Sequence, residues 1–301
     1  ELDEFLEKYP EDIDSPVYQY GIGDRCQGIP NQVGSYIDAW GCTWHVGEPG
    51  VIGEVKNSPL ASWDALNHYQ LPWELLNRAD LSKVNPSCEQ SDKFMLASTE
   101  TRPFERMQFL RGTENLLVDL AYGEREVYQL RDMLHDFSTK EMEIWANTAV
   151  DGVWFMDDWG SQRALLISPA LWREFYKPLY RDYCDILHRK GKYAFFHSDG
   201  NISAIYPDLI EVGIDAVNSQ LFCMDMETLG ARYVGKITFW GEIDRQKVLP
   251  FGSTEDVKQA VQRVSKALIP TKKTGVIAQC EWGVKDPKQN IEAVFETWNT
   301  I

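Results

Sequence analysis

The sequence predicts an α/β protein, a single (β/α)8 TIM barrel with an irregular N-terminal segment. Three observations carry this reading. From Lys93 onward, short apolar runs alternate with helical stretches, a pattern that implies parallel strands under helical cover. The length of 301 residues suits a barrel running as one domain, for which about 250 residues is typical. No Gly-rich loop follows a strand where a dinucleotide-binding unit would need one.

The elements follow in order. Residues 1–92 are irregular and rich in Gly, Pro and Trp. They read as loops and early barrel elements of the same domain whose remainder is 93–301. Phe94-Met-Leu-Ala-Ser98 predicts a buried strand. Pro103 to Gly112 predicts a short helix, with Pro near its start and Gly past its end. A long helical stretch runs from about Glu114 to Thr148, and Gly152-Val-Trp-Phe-Met156 is the next strand. Ser168-Pro169 opens a helix reaching Gly191, with Ser as N-cap and Pro as first helical residue. Strands are then expected at 193–196, 216–219, 237–240 and 275–278. Helices are expected near 202–212, 225–234 and 253–268, with a last one opening at Asp286-Pro287.

The formal net charge is −16 and the pI about 4.8. Nucleic-acid surfaces need a basic footprint, and anionic membranes repel such a chain. Neither partner is therefore expected; solubility is the plain reading of the charge. No apolar run approaches the ~20 residues of a membrane span, and the acidic start lacks a signal-peptide pattern. The chain begins without Met, which leaves open whether residues precede Glu1. Six cysteines at 26, 42, 88, 184, 223 and 280 show no CxxC spacing. They predict no disulfide framework and a reducing cytoplasm.

Barrel chemistry sits where strands end. Each predicted strand is followed by polar reactive groups: Glu100 and Arg102; Asp157 and Asp158; His197, Ser198 and Asp199; Gln220 and Cys223; Glu242 and Asp244; Gln279, Cys280 and Glu281. His197 and Asp199 stand at i, i+2, which places both on one face of an extended segment. With the thiol of Cys280 they would suit Zn²⁺, which accepts N, O and S donors. A His–Asp hydrogen bond beside an unrelated buried Cys is the competing reading. Asp157 and Asp158 point opposite ways on a strand; one faces the mouth while the other bonds backbone, or the pair does acid–base work. Arg102 either grips an anionic group or pairs with Glu105. His45, beside Trp40 and Trp44, either lines a cofactor pocket or packs in a loop, and Cys42 shares that ambiguity.

Several stretches, taken in order, resemble the uroporphyrinogen decarboxylase superfamily, which includes corrinoid-dependent methyltransferases. They are Thr101-Arg-Pro-Phe-Glu-Arg106, Phe155-Met-Asp-Asp-Trp-Gly160, Ser168-Pro-Ala-Leu-Trp-Arg-Glu-Phe-Tyr-Lys-Pro178, Phe196-His-Ser-Asp-Gly-Asn201, Gly241-Glu-Ile-Asp244 and Asp286-Pro-Lys-Gln-Asn290. The resemblance implies a (β/α)8 barrel. Against the decarboxylase members, Phe109 stands near a Tyr position, Asp157 near a Ser and Trp282 near a His. Methyltransferase members carry His-x-Cys-Gly-Asn and a later Cys that bind zinc; here His197, Asp199 and Cys280 fill that frame, with Asp in place of the first Cys. Gln220 stands where some relatives add a carboxylate ligand.

The resemblance therefore implies zinc-assisted methyl transfer between a small substrate and a corrinoid carried on a partner protein. His197, Asp199 and Cys280 would be metal ligands, while Asp157, Glu100 and Arg102 would orient or protonate substrate. It also allows a homodimer. Two alternatives remain at this level: a cofactor-free decarboxylase or lyase, and a non-catalytic barrel that binds a small ligand.

Overall fold

The computed structural model describes residues 2–269, 275–283 and 285–301. The chain divides into two compact units, residues 15–150 and residues 1–14 with 151–301. No described helix is long and apolar enough to cross a membrane.

The smaller unit contains an antiparallel sheet of β1 (Gly34–Ile37), β2 (Thr43–Val46) and β3 (Glu54–Asn57). Short hairpin connections make these strands antiparallel, since a parallel pair needs a crossover of a dozen or more residues. The irregular N-terminal region thus forms a small sheet of its own. Strand β4 (Phe94–Ser98) follows, then helices Pro103–Arg111, Thr113–Tyr122 and Arg125–Ala146. The long helix expected from 114 to 148 is two helices, because Gly123 adopts a left-handed φ of 68° and closes the first.

The larger unit repeats the strand–helix alternation expected of the barrel. Strands β5 (Gly152–Met156), β6 (Tyr193–Ser198), β7 (Ala216–Ser219), β8 (Thr238–Gly241) and β9 (Val276–Ala278) pair parallel, each with its sequence neighbour. Helices Pro169–Phe175, Lys177–His188, Tyr206–Val212, Met226–Tyr233 and Thr254–Leu268 lie between them. The predicted caps are present: the Ser168 hydroxyl accepts from Leu171 N at 3.2 Å, and Ser253 forms a capping box with Asp256. The helix expected across 169–191 is interrupted at Tyr176, because Pro178 sits in the first turn of a new helix.

Strand alternation sorts the side chains into two layers. Val153, Phe155, Ala194, Phe196 and Ser198 are fully buried. Phe155 and Phe196 meet Tyr180 with ring centroids 5.9 and 5.3 Å apart, and Tyr180 stacks on Trp172 at 5.6 Å. This aromatic layer seats the helices from 169 to 188 against the sheet. The alternate residues of the same strands, Trp154, His197, Asn218 and Trp240, share the other face. Register aligns Met156 with His197, His197 with Asn218, and Asn218 with Trp240. Strand β6 runs two residues beyond the apolar segment that predicted it, and that extension makes His197 a strand residue.

Candidate metal centre

Two glycines bring the β5 and β6 loops together. Gly200 has φ of 77°, and a Cβ there would lie 2.1 Å from the Gly160 carbonyl oxygen. A Cβ on Gly160 would lie 2.4 Å from Asn201 N. With neither present, Gly160 N donates to Asp199 O at 3.1 Å and Asn201 N to Ser161 O at 2.8 Å. The same approach lets Asp199 N donate to Asp158 Oδ1 at 2.8 Å. Backbone contact between loops thereby sets two carboxylates beside one imidazole.

His197 Nε2 lies 3.6 Å from Asp158 Oδ1 and 3.6 Å from Asp199 Oδ1. Donor atoms of Asp158, His197 and Asp199 all fall within 4.8 Å of one another. The ring's other nitrogen, Nδ1, meets Asn218 Oδ1. Asn218 uses its amide nitrogen on the Trp240 carbonyl at 3.0 Å and on Gln279 Oε1 at 2.5 Å. A backbone carbonyl only accepts, so this pattern assigns the Asn218 amide orientation and turns its oxygen to the ring. In the neutral imidazole the proton is then on Nδ1, and the Nε2 lone pair faces the carboxylates.

Arg245 supplies the positive charge here. Its Nη2 donates to both oxygens of Asp199, at 2.7 and 2.6 Å. Its Nη1 pairs with Glu281 and its Nε lies 3.5 Å from Glu242 Oε2. Glu242 is 2% exposed, and its Oε1 has no hydrogen-bond partner among the described residues. Burial, with the neighbouring Glu281 and Asp199 carboxylates acting against Arg245, pushes Glu242 up to about 8.

Of the residues expected from sequence, His197 and Asp199 come together, and Asp158 completes their group. Cys280 does not join it. Its thiol is buried, and burial together with Asp286, Glu242 and Glu281 pushes it up to about 12. Asp157 is fully buried and accepts from the Tyr180 hydroxyl at 2.5 Å, within the aromatic layer; Asp158 is the member of the pair that faces His197. Gln220 braces the loops, because its Oε1 accepts from Gly200 N at 3.0 Å and from the Cys223 thiol at 3.4 Å.

In the smaller unit, Glu100 accepts from Arg106 Nη2 at 3.1 Å, and its own N–H donates to Glu141 at 2.9 Å. Arg102 precedes helix Pro103–Arg111, and its Nε is buried with no partner among the described residues. His45 lies on β2, exposed, with Nδ1 3.1 Å from Ser35 Oγ. Cys42 is buried and donates to the Phe109 carbonyl at 3.5 Å.

Sequence reasoning missed Asn218 and Arg245. The signal for Asn218 is an amide inside the otherwise small and apolar strand Ala216–Ser219. Arg245 follows the acidic Glu242 and Asp244 in a strand-end loop, where a cation beside acids marks an ion-pair hub.

The family model described as Uroporphyrinogen decarboxylase (URO-D) matches residues 34–301. No curated protein matches the chain. Among solved structures, a methyltransferase from Methanosarcina mazei is similar at 15% identity, over 87% of this chain and 76% of that chain, with a TM-score of 0.68. A glycosylated endo-β-1,4-xylanase from Gloeophyllum trabeum aligns at 11% identity over 76% of this chain and 80% of that chain, with a TM-score of 0.44.

Proposed function

The chain belongs to the uroporphyrinogen decarboxylase family, and from that premise and the strand-end geometry we propose a metal-assisted methyltransferase. It moves a methyl group between a small substrate and a corrinoid carried on a partner protein. The observation that carries this reading is His197, held through Nδ1 by Asn218 with Nε2 turned toward Asp158 and Asp199.

That arrangement fits a divalent cation. An oriented imidazole with its second nitrogen hydrogen-bonded is the usual state of a metal-ligating histidine, and zinc accepts both imidazole and carboxylate. Asp158, His197 and Asp199 would hold it, with Asp158 in the place expected of Cys280. When bound, zinc supplies Lewis acidity, lowering the pKa of a heteroatom that gains or loses methyl.

The chain's own residues do the rest. Asn218 fixes the ring tautomer and Arg245 orients Asp199. Glu242 holds a proton near neutral pH in a water-poor setting, where it can exchange one with a substrate heteroatom. The methyltransferase reading is favoured over a decarboxylase of polycarboxylates by charge. Asp199 and Glu281 pair with the single guanidinium of Arg245, and Asp158 stands beside His197, so ionised carboxylates outnumber Arg245 and disfavour an anionic substrate. Six free cysteines accord with a cytoplasmic setting.

The test is metal analysis combined with turnover. Purified protein is expected to take up about one zinc per chain. Zinc-loaded protein is expected to consume methylcobalamin in the presence of a small thiol, followed by the loss of methyl–cobalt absorbance. His197→Ala and Asp158→Asn should lose both properties. Failure to retain added zinc, with the fold intact by circular dichroism, would sink the proposal.

A further inference from the structure

Beside the metal cluster lies a cavity of about 90 Å³, lined in part by Gln162, Gln220, Phe222, Cys223, Glu242 and Arg245. We propose that this cavity receives the protonated amine of the site's substrate, which docks on Glu242 as that carboxyl releases its proton to solvent. The substrate class is thus a small molecule with an ammonium head, whose reacting heteroatom reaches the Asp158–His197–Asp199 cluster. This assignment of the amine to the substrate rests on the methyltransferase reading; the binding of an amine in the cavity does not.

Two independent observations point to a cationic occupant. Glu242 is 2% exposed and lines the cavity, yet Oε1 has no hydrogen-bond partner among the described residues. A buried polar atom left unpaired costs ~1–3 kcal/mol, more for a charged group, and a donor from a ligand removes that cost. The second observation is charge. The guanidinium of Arg245 is already divided among Asp199, Glu242 and Glu281. Asp244 lines the cavity and its Oδ1 accepts from the backbone of Gln246 and Lys247 at 2.9 and 3.0 Å. Lys247, also lining it, is exposed. The buried end of the cavity therefore has an excess of carboxylate, and an anionic tail would meet repulsion there. Phe222 adds an aromatic ring to the lining.

The test uses three probes of matched size: isopropylammonium, acetamide and acetate, titrated into the whole protein at low salt and followed by calorimetry or ligand-observed NMR. Isopropylammonium is expected to bind at least tenfold more tightly than acetamide, with no binding of acetate. Glu242→Gln should reduce amine affinity tenfold or more. The comparison of probes on the unaltered protein needs no variant, so a poorly folded Glu242→Gln leaves the test intact. Equal or tighter binding of acetamide, or binding of acetate, overturns the proposal. The titrations are repeated after dialysis against a chelator. Amine binding should persist there, so a failed amine site and a failed metal site give different results.

Discussion

The imidazole Nδ1 of His197 meets the side-chain oxygen of Asn218, and the two residues sit opposite each other on adjacent parallel strands. The amide nitrogen of Asn218 is committed to the Trp240 carbonyl and to Gln279, so the pair has one stable arrangement. Partners of this kind set ligand orientation and basicity, and losing one typically costs 10–100-fold in metal affinity. Asn218→Ala should therefore weaken zinc binding by about that factor, measured by competition with a chromogenic chelator. Asn218→Asp retains an acceptor toward Nδ1 and should weaken it less. An unchanged affinity in Asn218→Ala would remove Asn218 from the site.

The loop contact that sets Asp158 beside Asp199 predicts a contrast between two glycines. Gly200 and Gly235 have nearly the same φ, 77° and 78°, but only the Cβ at Gly200 would strike backbone, while nothing lies within 4 Å of the one at Gly235. Gly235→Ala should cost about 1–3 kcal/mol from the φ alone. Gly200→Ala carries the same strain and also pushes the two loops apart. Urea unfolding should show Gly200→Ala as the less stable of the two, and zinc affinity should fall in it alone. Equal losses of stability, with metal binding intact in both, would show that the loop contact is not what builds the cluster.

Much of this site was legible in the sequence. Strand and helix alternation from Lys93 onward follows local apolar patterning, and the pairing of His197 with Asp199 follows from i, i+2 spacing on an extended segment. Which of Asp157 and Asp158 faces His197 was not legible. That choice depends on Tyr180, 23 residues along the chain from Asp157, whose hydroxyl draws Asp157 into the aromatic layer. Cys280 illustrates the same limit: its position after β9 is local information, whereas its separation from the His197 group is set by how neighbouring strands pair. The small N-terminal sheet was hidden because its strands, such as Glu54–Asn57, are short and mostly exposed, and so have no strong apolar alternation.

Cys280 yields a prediction of its own. Burial and three nearby carboxylates push its thiol up to about 12, and the thiolate is the form that both reacts and binds metal. Cys280→Ala should leave zinc stoichiometry near that of the unaltered protein. Alkylation by iodoacetamide at pH 8, read by peptide mass spectrometry, should be much slower at Cys280 than at the exposed Cys26. Loss of zinc in Cys280→Ala would return this thiol to the ligand set.

Glu141 predicts how stability depends on pH. It is fully buried and accepts from the Tyr20 hydroxyl at 2.5 Å, Glu100 N at 2.9 Å and the Thr101 hydroxyl at 2.8 Å. These donors favour the charged form, but burial outweighs them and raises the group from 4.5 to about 7. A raised carboxyl binds its proton more tightly in the folded state. Its contribution is therefore fully present below pH 4.5 and is lost as pH rises through about 7. At 1.36 kcal/mol per unit, the loss between pH 5 and pH 8 comes to about 2–3 kcal/mol. Glu141→Gln cannot titrate. The stability difference between the unaltered protein and this variant, from urea unfolding, should therefore shrink by about that amount over the same range. Working with the difference cancels the other titrating groups, Glu242 included. A difference that is flat from pH 5 to pH 8 would mean that Glu141 carries its charge throughout, with its three donors outweighing burial.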